Sequence, residues 1–185
     1  MVEDVIKELR TGIDKSIEAL RRDLTRVRTG RAHVSMLDGV RVDYYGVPTP
    51  LQQMANVNVP EARLITIKAW EKNQVKAIEK AIRESDLNLN PQVDGDLIRI
   101  PIPALTEDRR KEMVKLTKKN GEEARVAVRK HRRDANELLD AMDKDGDVSK
   151  DEADRAKKKV EDVVAEGIKQ VDAVIAAKEK DILEV

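Results

Sequence analysis

The sequence predicts an α+β fold in which an elongated three-helix bundle carries an inserted small β/α/β domain. Apolar residues recur at helical spacing before residue 30 and after residue 105, and the period changes between those positions. Both transitions carry Gly or Pro, as linkers between domains commonly do. A helix cannot bury its apolar stripe alone, so three such helices are expected to share a core. We therefore expect residues 1–30 and 105–185 to form the bundle and residues 31–104 to form the insert.

The composition limits the classes of protein to which the chain can belong. Charged residues make up 39% of the 185 residues, aromatic residues make up 2%, and cysteine is absent. Such a chain relies on aliphatic contacts between helices, and it has no means of forming disulfides or thiolate metal sites. No apolar run has the length of a membrane span, and residues 1–10 lack a secretory apolar stretch. We expect a soluble cytoplasmic protein that does not associate with membranes.

The first bundle helix is predicted over residues 2–29. Apolar side chains recur every three or four residues from Val5 to Val27, and Gly30 is expected to stop the helix. A basic cluster stands at the end of this helix: Arg21, Arg22, Arg26, Arg28 and Arg31. The helix dipole accounts for one or two basic residues in a last turn, but not for five.

The insert shows the alternation that is typical of strands. Strand candidates cover residues 40–45, 57–60, 64–70 and 97–100. One short helix is expected over residues 74–85, and Gly46, Pro48 and Pro50 are expected to break the chain after the first strand. We expect Trp70 to lie in the core of the insert, because aromatic residues exposed for base stacking usually come in groups.

Two long helices are predicted after the insert, over about 107–143 and from about 150 to Leu183. The break between them begins at Asp143, and Ser149 with Glu152 three residues later predicts a capping box.

The acidic break resembles a calcium loop only in part. Val148, Lys150 and Asp154 stand where an EF-hand has glycine, an apolar residue and a bidentate glutamate. We therefore interpret the segment as a helix–helix turn and expect no metal site.

The second bundle helix carries what we call the arginine stripe: Arg125, Arg129, Arg132 and Arg133. At about 100° per residue, these side chains lie within roughly a quarter-turn of one another. The apolar residues are expected on a different face: Leu116, Ala124, Ala127, Ala135, Leu138 and Met142. The stripe is either a solvated face or a site for a polyanion. Since Arg129 has arginine four residues away on both sides, which is unfavourable without an anion, we favour the polyanion.

The charge distribution supports one basic surface. The net charge is zero, but residues 107–133 hold 11 basic and 5 acidic residues, whereas residues 134–185 hold 9 and 16. Arginine makes forked contacts to phosphate, and the scarcity of aromatic residues disfavours readout by base stacking. The pattern is typical of a protein that binds the backbone of a structured RNA.

Catalytic signals are sparse. The sequence has no phosphate-binding glycine loop, no dinucleotide fingerprint and no zinc motif, so we expect neither an enzyme nor a cofactor. His131 is expected to pack half-buried on its helix. Two alternatives to RNA binding stay open: an adaptor whose bundle pairs with partner helices, and a small hydrolase that uses His33.

Several separated motifs resemble those of the bacterial ribosome recycling factor family, in the same order and spacing from end to end. They are Arg28–Ala32, Tyr44–Gly46, Glu79–Ile82, Leu89–Pro91, Arg109–Lys111, Arg125–Arg129 and Arg132–Ala135. The chain departs from the family pattern at Asn88, where glycine is common, and at His131, where the family has Ile or Val.

The resemblance implies a monomeric, L-shaped, tRNA-sized translation factor that is not an enzyme. In that family the bundle binds 23S rRNA of the large ribosomal subunit. Elongation factor G then uses GTP to drive the second domain until the post-termination complex splits.

The resemblance also implies the site residues. By position, Arg28, Arg31, Arg129 and Arg132 match the family's rRNA-binding arginines, with Arg132 foremost. Supporting positive charge comes from Arg110, Arg125 and Arg133. The implied hinge between the domains consists of Gly30, Arg31, Pro103, Ala104 and Leu105.

Overall fold

The computed structural model describes residues 1–184, which form two compact units. The first contains Met1–Thr29 and Glu107–Glu184, and the second contains Gly30–Thr106. The predicted α+β architecture, a three-helix bundle with a strand-rich insert, is confirmed. That residues 31–104 act as a separate domain stays a prediction. Every helix in the described part of the chain is too short or too polar to span a bilayer.

The first unit is a bundle of α1 (Val2–Thr25), α3 (Glu107–Lys144) and α4 (Lys150–Leu183), and each helix packs against the other two. Their buried residues form what we call the aliphatic seam, which contains no aromatic side chain among residues 1–184. Its main members are Val5, Leu9, Ile13, Ile17, Leu20, Leu24, Val128, Leu139, Val160, Val171, Ile175 and Ile182.

Glycine allows two close helix contacts along the aliphatic seam. A Cβ atom on Gly167 of α4 would lie 2.7 Å from Ile13 Cγ2 of α1, and one on Gly121 of α3 would lie 2.8 Å from Ile175 Cδ1 of α4. Both distances are shorter than carbon atoms tolerate. These two helix contacts therefore depend on the absence of a side chain at the glycine.

Two of the predicted helix ends have different outcomes. The helix α1 ends at Thr25 rather than at residue 29, although Val27 beyond it is still buried. The capping box of α4 is confirmed, because the Glu152 N–H donates to Ser149 Oγ at 3.3 Å and the Ser149 N–H donates to Glu152 Oε2 at 2.9 Å.

The predicted turn between α3 and α4 is also confirmed. Its residues 145–148 contain Gly146 at φ +79°, a left-handed conformation that favours glycine.

The prediction of the apolar face of α3 was wrong at two positions. Leu116 and Leu138 are exposed, whereas their neighbours Thr117 and Leu139 are fully buried. The buried face is therefore centred near Val128, rotated by about 60° from the centre of the predicted apolar residues.

The second unit contains two antiparallel sheets and one helix. The strands β1 (Arg41–Tyr44) and β2 (Val47–Pro50) form a hairpin. The four-stranded sheet has the order β3–β4–β6–β5, from β3 (Ala55–Glu61), β4 (Leu64–Ala69), β5 (Gln92–Asp94) and β6 (Leu97–Pro101). The helix α2 (Val75–Arg83) packs against the strands, and Ile65, Ile67, Ile78, Ile82, Ile98 and Ile100 are the centre of the core.

The sequence did not predict β2 or β5. The expected break at Gly46, Pro48 and Pro50 is instead a short strand, in which Pro48 pairs with Asp43 and Pro50 with Arg41. Proline lacks a backbone donor, and a two-stranded hairpin tolerates that loss because its strands are both edges.

The placement of Trp70 in the core was wrong. Along β4, Ile65, Ile67 and Ala69 are buried, and the side chain of the next residue, Trp70, is 59% exposed. Successive side chains of a strand point to opposite faces, so a run that buries residue 69 sends residue 70 outward.

Both ends of the second unit are tied to one turn. The Ala32 N–H donates to the Ala62 carbonyl at 2.7 Å, and the Ile102 N–H donates to the Arg63 carbonyl at 2.8 Å. Ala62 and Arg63 form the turn between β3 and β4. The entering and leaving segments are therefore held to the same hairpin by backbone hydrogen bonds, independent of side-chain identity.

Leu139 and Leu138 offer a matched test of the aliphatic seam. Leu139→Ala should lower the free energy of unfolding by about 2–5 kcal/mol, because it leaves a cavity in a fully buried site. Leu138→Ala, on the exposed face, should lower it by less than about 1 kcal/mol. Urea denaturation followed by far-UV circular dichroism measures both, and equal losses would contradict the assigned face.

Candidate nucleic-acid interface

The arginine stripe begins at the flank of the aliphatic seam and extends away from it. Measured around α3 from buried Val128, Arg132 lies at about 40°, Arg125 at about 60°, Arg129 at about 100° and Arg133 at about 140°. The first two therefore stand beside a neighbouring helix, and the last two face outward.

Arg125 is fully engaged within the bundle. Its Nε and Nη2 donate to Asp172 Oδ1 of α4 at 3.1 and 2.6 Å, and its Nη1 donates to Glu122 Oε2 at 3.3 Å. The hydrogen bond to Asp172 raises the pKa of the guanidinium further, and the side chain is only 27% exposed. Arg125 therefore links α3 to α4 and has little capacity left for a ligand.

Arg132 is held at one atom only. Its Nε donates to Glu161 Oε1 of α4 at 2.8 Å, and its terminal nitrogens Nη1 and Nη2 have no hydrogen bond to another residue in 1–184. The carboxylate of Glu161 thereby orients the guanidinium and leaves its end open. Two terminal nitrogens in one plane match two oxygens of a phosphate.

Arg129 and Arg133 are less constrained. Arg129 Nη1 donates to Glu122 Oε1 at 3.1 Å, while Arg133 is exposed and forms no ion pair within the described chain. Hydrogen bonds from Arg129 and then Arg125 hold the pKa of the Glu122 carboxyl below its ordinary value. Glu122 is therefore charged at neutral pH and shared between two arginines.

One premise of the sequence argument was wrong. The like charges of the stripe are compensated by Glu122, Glu161 and Asp172, none of which lies four residues from the arginine that it contacts. Like charge alone therefore does not require an anion. What distinguishes the arginines is how many guanidinium nitrogens the protein itself uses.

The position of the turn between α3 and α4 in the sequence could have predicted which acidic residues contact the arginines. The ion pairs Arg125–Asp172, Arg132–Glu161 and Lys157–Asp140 are each centred on residues 146–149 of the sequence. Antiparallel helices joined by a short turn pair residues in this way. Residues that lie equally far from the turn, one before it and one after it, face each other on the two helices. This rule would have placed Glu161 opposite Arg132.

The other predicted site residues belong to different parts of the chain. Arg28 is exposed in the first unit, Arg31 is half-buried in the second unit, and Arg110 is half-buried in α3. The hinge candidates occupy the segments next to the unit boundaries. There, Gly30 has φ +75° and is buried, Pro103 and Ala104 are exposed, and Leu105 is half-buried.

The two histidines also have clear positions. His131 is half-buried as predicted, with Nε2 3.2 Å from Ser16 Oγ and its ring against Gly12, where a Cβ atom would lie 2.7 Å from Nδ1. His33 is exposed. No group of three or more potential metal ligands comes together among residues 1–184.

Comparison of sequences identifies close relatives. Residues 20–183 match the family model described as ribosome recycling factor. The chain is 78% identical to the ribosome-recycling factor of Sorangium cellulosum (strain So ce56) over 185 residues, which is 100% of both chains. It is 54% identical to that of Anaeromyxobacter dehalogenans (strain 2CP-C), over 100% of this chain and 98% of the relative.

Solved structures give the same result. A solution structure of the ribosome recycling factor has a TM-score of 0.77 at 40% identity, covering 100% of this chain and 98% of the other. A second structure contains the T. thermophilus ribosome recycling factor and E. coli elongation factor G bound to the E. coli post-termination complex. Its recycling factor has a TM-score of 0.66 at 41% identity, over 99% of both chains.

Removal of the Glu122 charge should strengthen binding to RNA. In Glu122→Gln, the attraction of Arg129 and Arg125 for phosphate is no longer opposed by a carboxylate, so a double-stranded RNA should bind several-fold more tightly. Because the pKa of Glu122 is lowered, the two proteins should differ at neutral pH and converge only as the pH falls below the ordinary value of 4.5. Fluorescence anisotropy at fixed salt measures the affinity.

The adjacent Glu123→Gln is the control for net charge. It removes the same charge from α3 without touching an arginine contact of the stripe. If the affinity for RNA rises equally in the two variants, the effect of Glu122 is one of net charge, and the role assigned to its contacts is wrong.

Proposed function

Because this chain belongs to the ribosome recycling factor family, we propose that it splits the post-termination ribosomal complex together with elongation factor G and GTP. The observation that carries the proposal is the similarity, at 41% identity over 99% of both chains, to a factor whose structure places it on that complex with elongation factor G. In this proposal the ribosome is released from mRNA in the cytoplasm for a new round of translation.

The bundle is the part that we assign to the large ribosomal subunit. The proposed contacts to 23S rRNA, as the family resemblance implies, are Arg28, Arg129 and Arg132 of the bundle, together with Arg31 at the start of the second unit. The geometry supports Arg132 most strongly, because Glu161 holds its Nε while Nη1 and Nη2 stay open to phosphate. Arg129, with one nitrogen engaged, comes next.

The supporting arginines differ in their proposed roles. Arg110 and Arg133 contribute positive charge to the binding surface. Arg125 is mainly a link between α3 and α4, because all three of its guanidinium nitrogens are engaged. Its effect on RNA binding is therefore indirect, through the geometry of the stripe.

The second unit is the proposed moving part. Its entering and leaving segments are tied to the Ala62–Arg63 turn through Ala32 and Ile102, so rotation is expected in the backbone outside these ties. The hinge candidates Gly30 and Arg31 lie just before Ala32, and Pro103, Ala104 and Leu105 lie just after Ile102.

The proposed mechanism is mechanical. The bundle anchors the protein through phosphate contacts, and elongation factor G supplies the force by using GTP. The chain itself makes no covalent bond, needs no cofactor and acts as a monomer. An adaptor that pairs with partner helices would instead bind no ribosome, so the experiments below separate the two functions.

Arg132→Ala should weaken binding to the large subunit by about 10- to 100-fold, since a charge-assisted hydrogen bond to phosphate is lost. The slope of log affinity against log salt should also fall by about 1. Arg63→Ala is the control, because its exposed side chain lies in the second unit and the tie to Ile102 uses only its backbone. Co-sedimentation across a potassium chloride series measures both, and equal affinities would exclude the stripe as the anchor.

The proposed activity is tested directly by sedimentation of purified post-termination complexes. Incubation with this chain, elongation factor G from the same organism and GTP should yield separate subunits. Omission of GTP or of elongation factor G should leave the complexes intact. Failure to yield subunits with the matched elongation factor would contradict the proposed function. The Arg132→Ala protein should split the complexes slowly at low protein concentration. The rate should recover at high protein concentration, because the substitution weakens binding to the ribosome.

A further inference from the structure

A shallow cavity of about 260 Å³ lies beside the β1–β2 hairpin of the second unit. The residues of its wall that matter here are Tyr44, Met54, Trp70, Glu71 and Gln74. None of them is among the arginines or hinge residues to which the proposed function assigns a role. The proposed function therefore does not account for this cavity.

The aromatic residues of the chain are concentrated at this cavity. The sequence contains one Trp, two Tyr and no Phe. Trp70 and Tyr44 line the cavity, and the ring of Tyr45 lies 4.7 Å from that of Tyr44 at 73°. Trp70 and Tyr45 are largely exposed, so two of the three aromatic side chains in the sequence face solvent. Exposed aromatic residues in a group are typical of a binding surface.

The hairpin holds these rings in place at a cost. Tyr45 adopts φ +50°, an unfavourable conformation for a residue with a side chain, and forms the two-residue turn of the hairpin together with Gly46. The turn is secured by the Gly46 N–H, which donates to Asp43 Oδ1 at 2.7 Å, and by Asn73 Nδ2, which donates to the Tyr45 hydroxyl at 3.2 Å. The turn that carries Tyr45 is thus held by the protein itself.

Two hydrogen-bonding groups at the cavity have unused capacity. The Tyr44 hydroxyl donates to Glu71 Oε1 at 2.8 Å, which leaves Glu71 Oε2 available. Gln74 lines the cavity, and its side-chain amide forms no hydrogen bond to another residue among 1–184. The polar atoms of this amide are accessible from the cavity, so they can form hydrogen bonds with a ligand there.

The charge of the residues that line the cavity favours a cationic ligand. Glu71 is the one charged residue in the lining, and no lysine or arginine of the described chain lines the cavity, although Lys72 is adjacent to Glu71 in sequence. The faces of Trp and Tyr rings attract cations, and a carboxylate adds a charge-assisted hydrogen bond. A nucleotide would bring its phosphate towards Glu71 without a basic residue in the wall to neutralise it.

We propose that this cavity binds an arginine side chain of a basic protein segment. The guanidinium lies flat on Trp70, beside the ring of Tyr44, and donates to Glu71 Oε2 and to the amide oxygen of Gln74. A guanidinium is planar and has five donors, so it satisfies both acceptors while it stacks; the ammonium of lysine cannot stack in this way. The site belongs to the second unit alone and does not depend on RNA binding by the bundle.

The single tryptophan provides the measurement. Because Trp70 is the only Trp of the chain, its fluorescence reports on the cavity. The full chain is titrated with the peptide acetyl-Gly-Arg-Gly-amide and with the same peptide carrying citrulline, which is neutral and of similar shape. The arginine peptide should give a saturable change in Trp70 emission with a millimolar Kd, as expected for one small cationic group, and the citrulline peptide should bind at least about tenfold more weakly.

Matched variants separate the cavity from general charge effects. Glu71→Gln should weaken binding of the arginine peptide by about tenfold. Glu61→Gln, which removes an exposed carboxylate of β3 outside the cavity lining, should leave its affinity unchanged. The proposal is overturned if the arginine peptide gives no saturable change, if citrulline binds as well, or if Glu71→Gln has no effect. It is also overturned if an oligouridylate displaces the arginine peptide from the cavity and itself gives a saturable change in Trp70 emission, since the occupant would then be RNA.

Discussion

The bundle depends on one aliphatic seam shared by three long helices. The chain has few aromatic residues to fill space between helices, and its helices approach closely at contacts such as Gly167 with Ile13. Each helix can bury only one face, and the remaining faces are therefore charged. The 38 residues of α3 form a rod of about 57 Å along this seam. The arginine stripe gains its rigidity from that rod, because its residues share a helix with buried Val128 and Leu139.

The same constraint explains why the arginines have two kinds of partner. A helix that is mostly charged needs opposite charge nearby, and α4 supplies it through Asp172 and Glu161. Exposed ion pairs add little to folding stability, so a phosphate can compete for Arg132 without unfolding the bundle. Arg125 differs, since it is half-buried and bound to two carboxylates. The number of intramolecular contacts thus separates an arginine that holds the fold from one that is available to a ligand.

Periodicity predicted which segments are helices and strands, but not which residues meet. It placed the buried face of α3 correctly at Ala124 and Ala135 and misplaced Leu138, because one residue of error rotates a side chain by about 100°. Trp70 was misplaced for the corresponding reason in a strand, and its misplacement hid the cavity. The arginines of the candidate site could be chosen from the sequence by resemblance. Their availability could not, because Glu161 and Asp172 reach them only through the pairing of α3 with α4.

The two units offer surfaces of opposite chemistry, and a mechanical function requires both. In the proposed mechanism, a force applied to the second unit separates subunits only if the bundle stays anchored, and phosphate contacts of the arginine stripe are the proposed anchor. The force must also act on the second unit as one body. The ties of Ala32 and Ile102 to a single hairpin turn meet this need, because they prevent the ends of the unit from peeling away independently. An arginine bound by Trp70 and Glu71 would give a protein partner a contact on that body that does not compete for the proposed RNA-binding surface, since a cavity with a carboxylate repels phosphate.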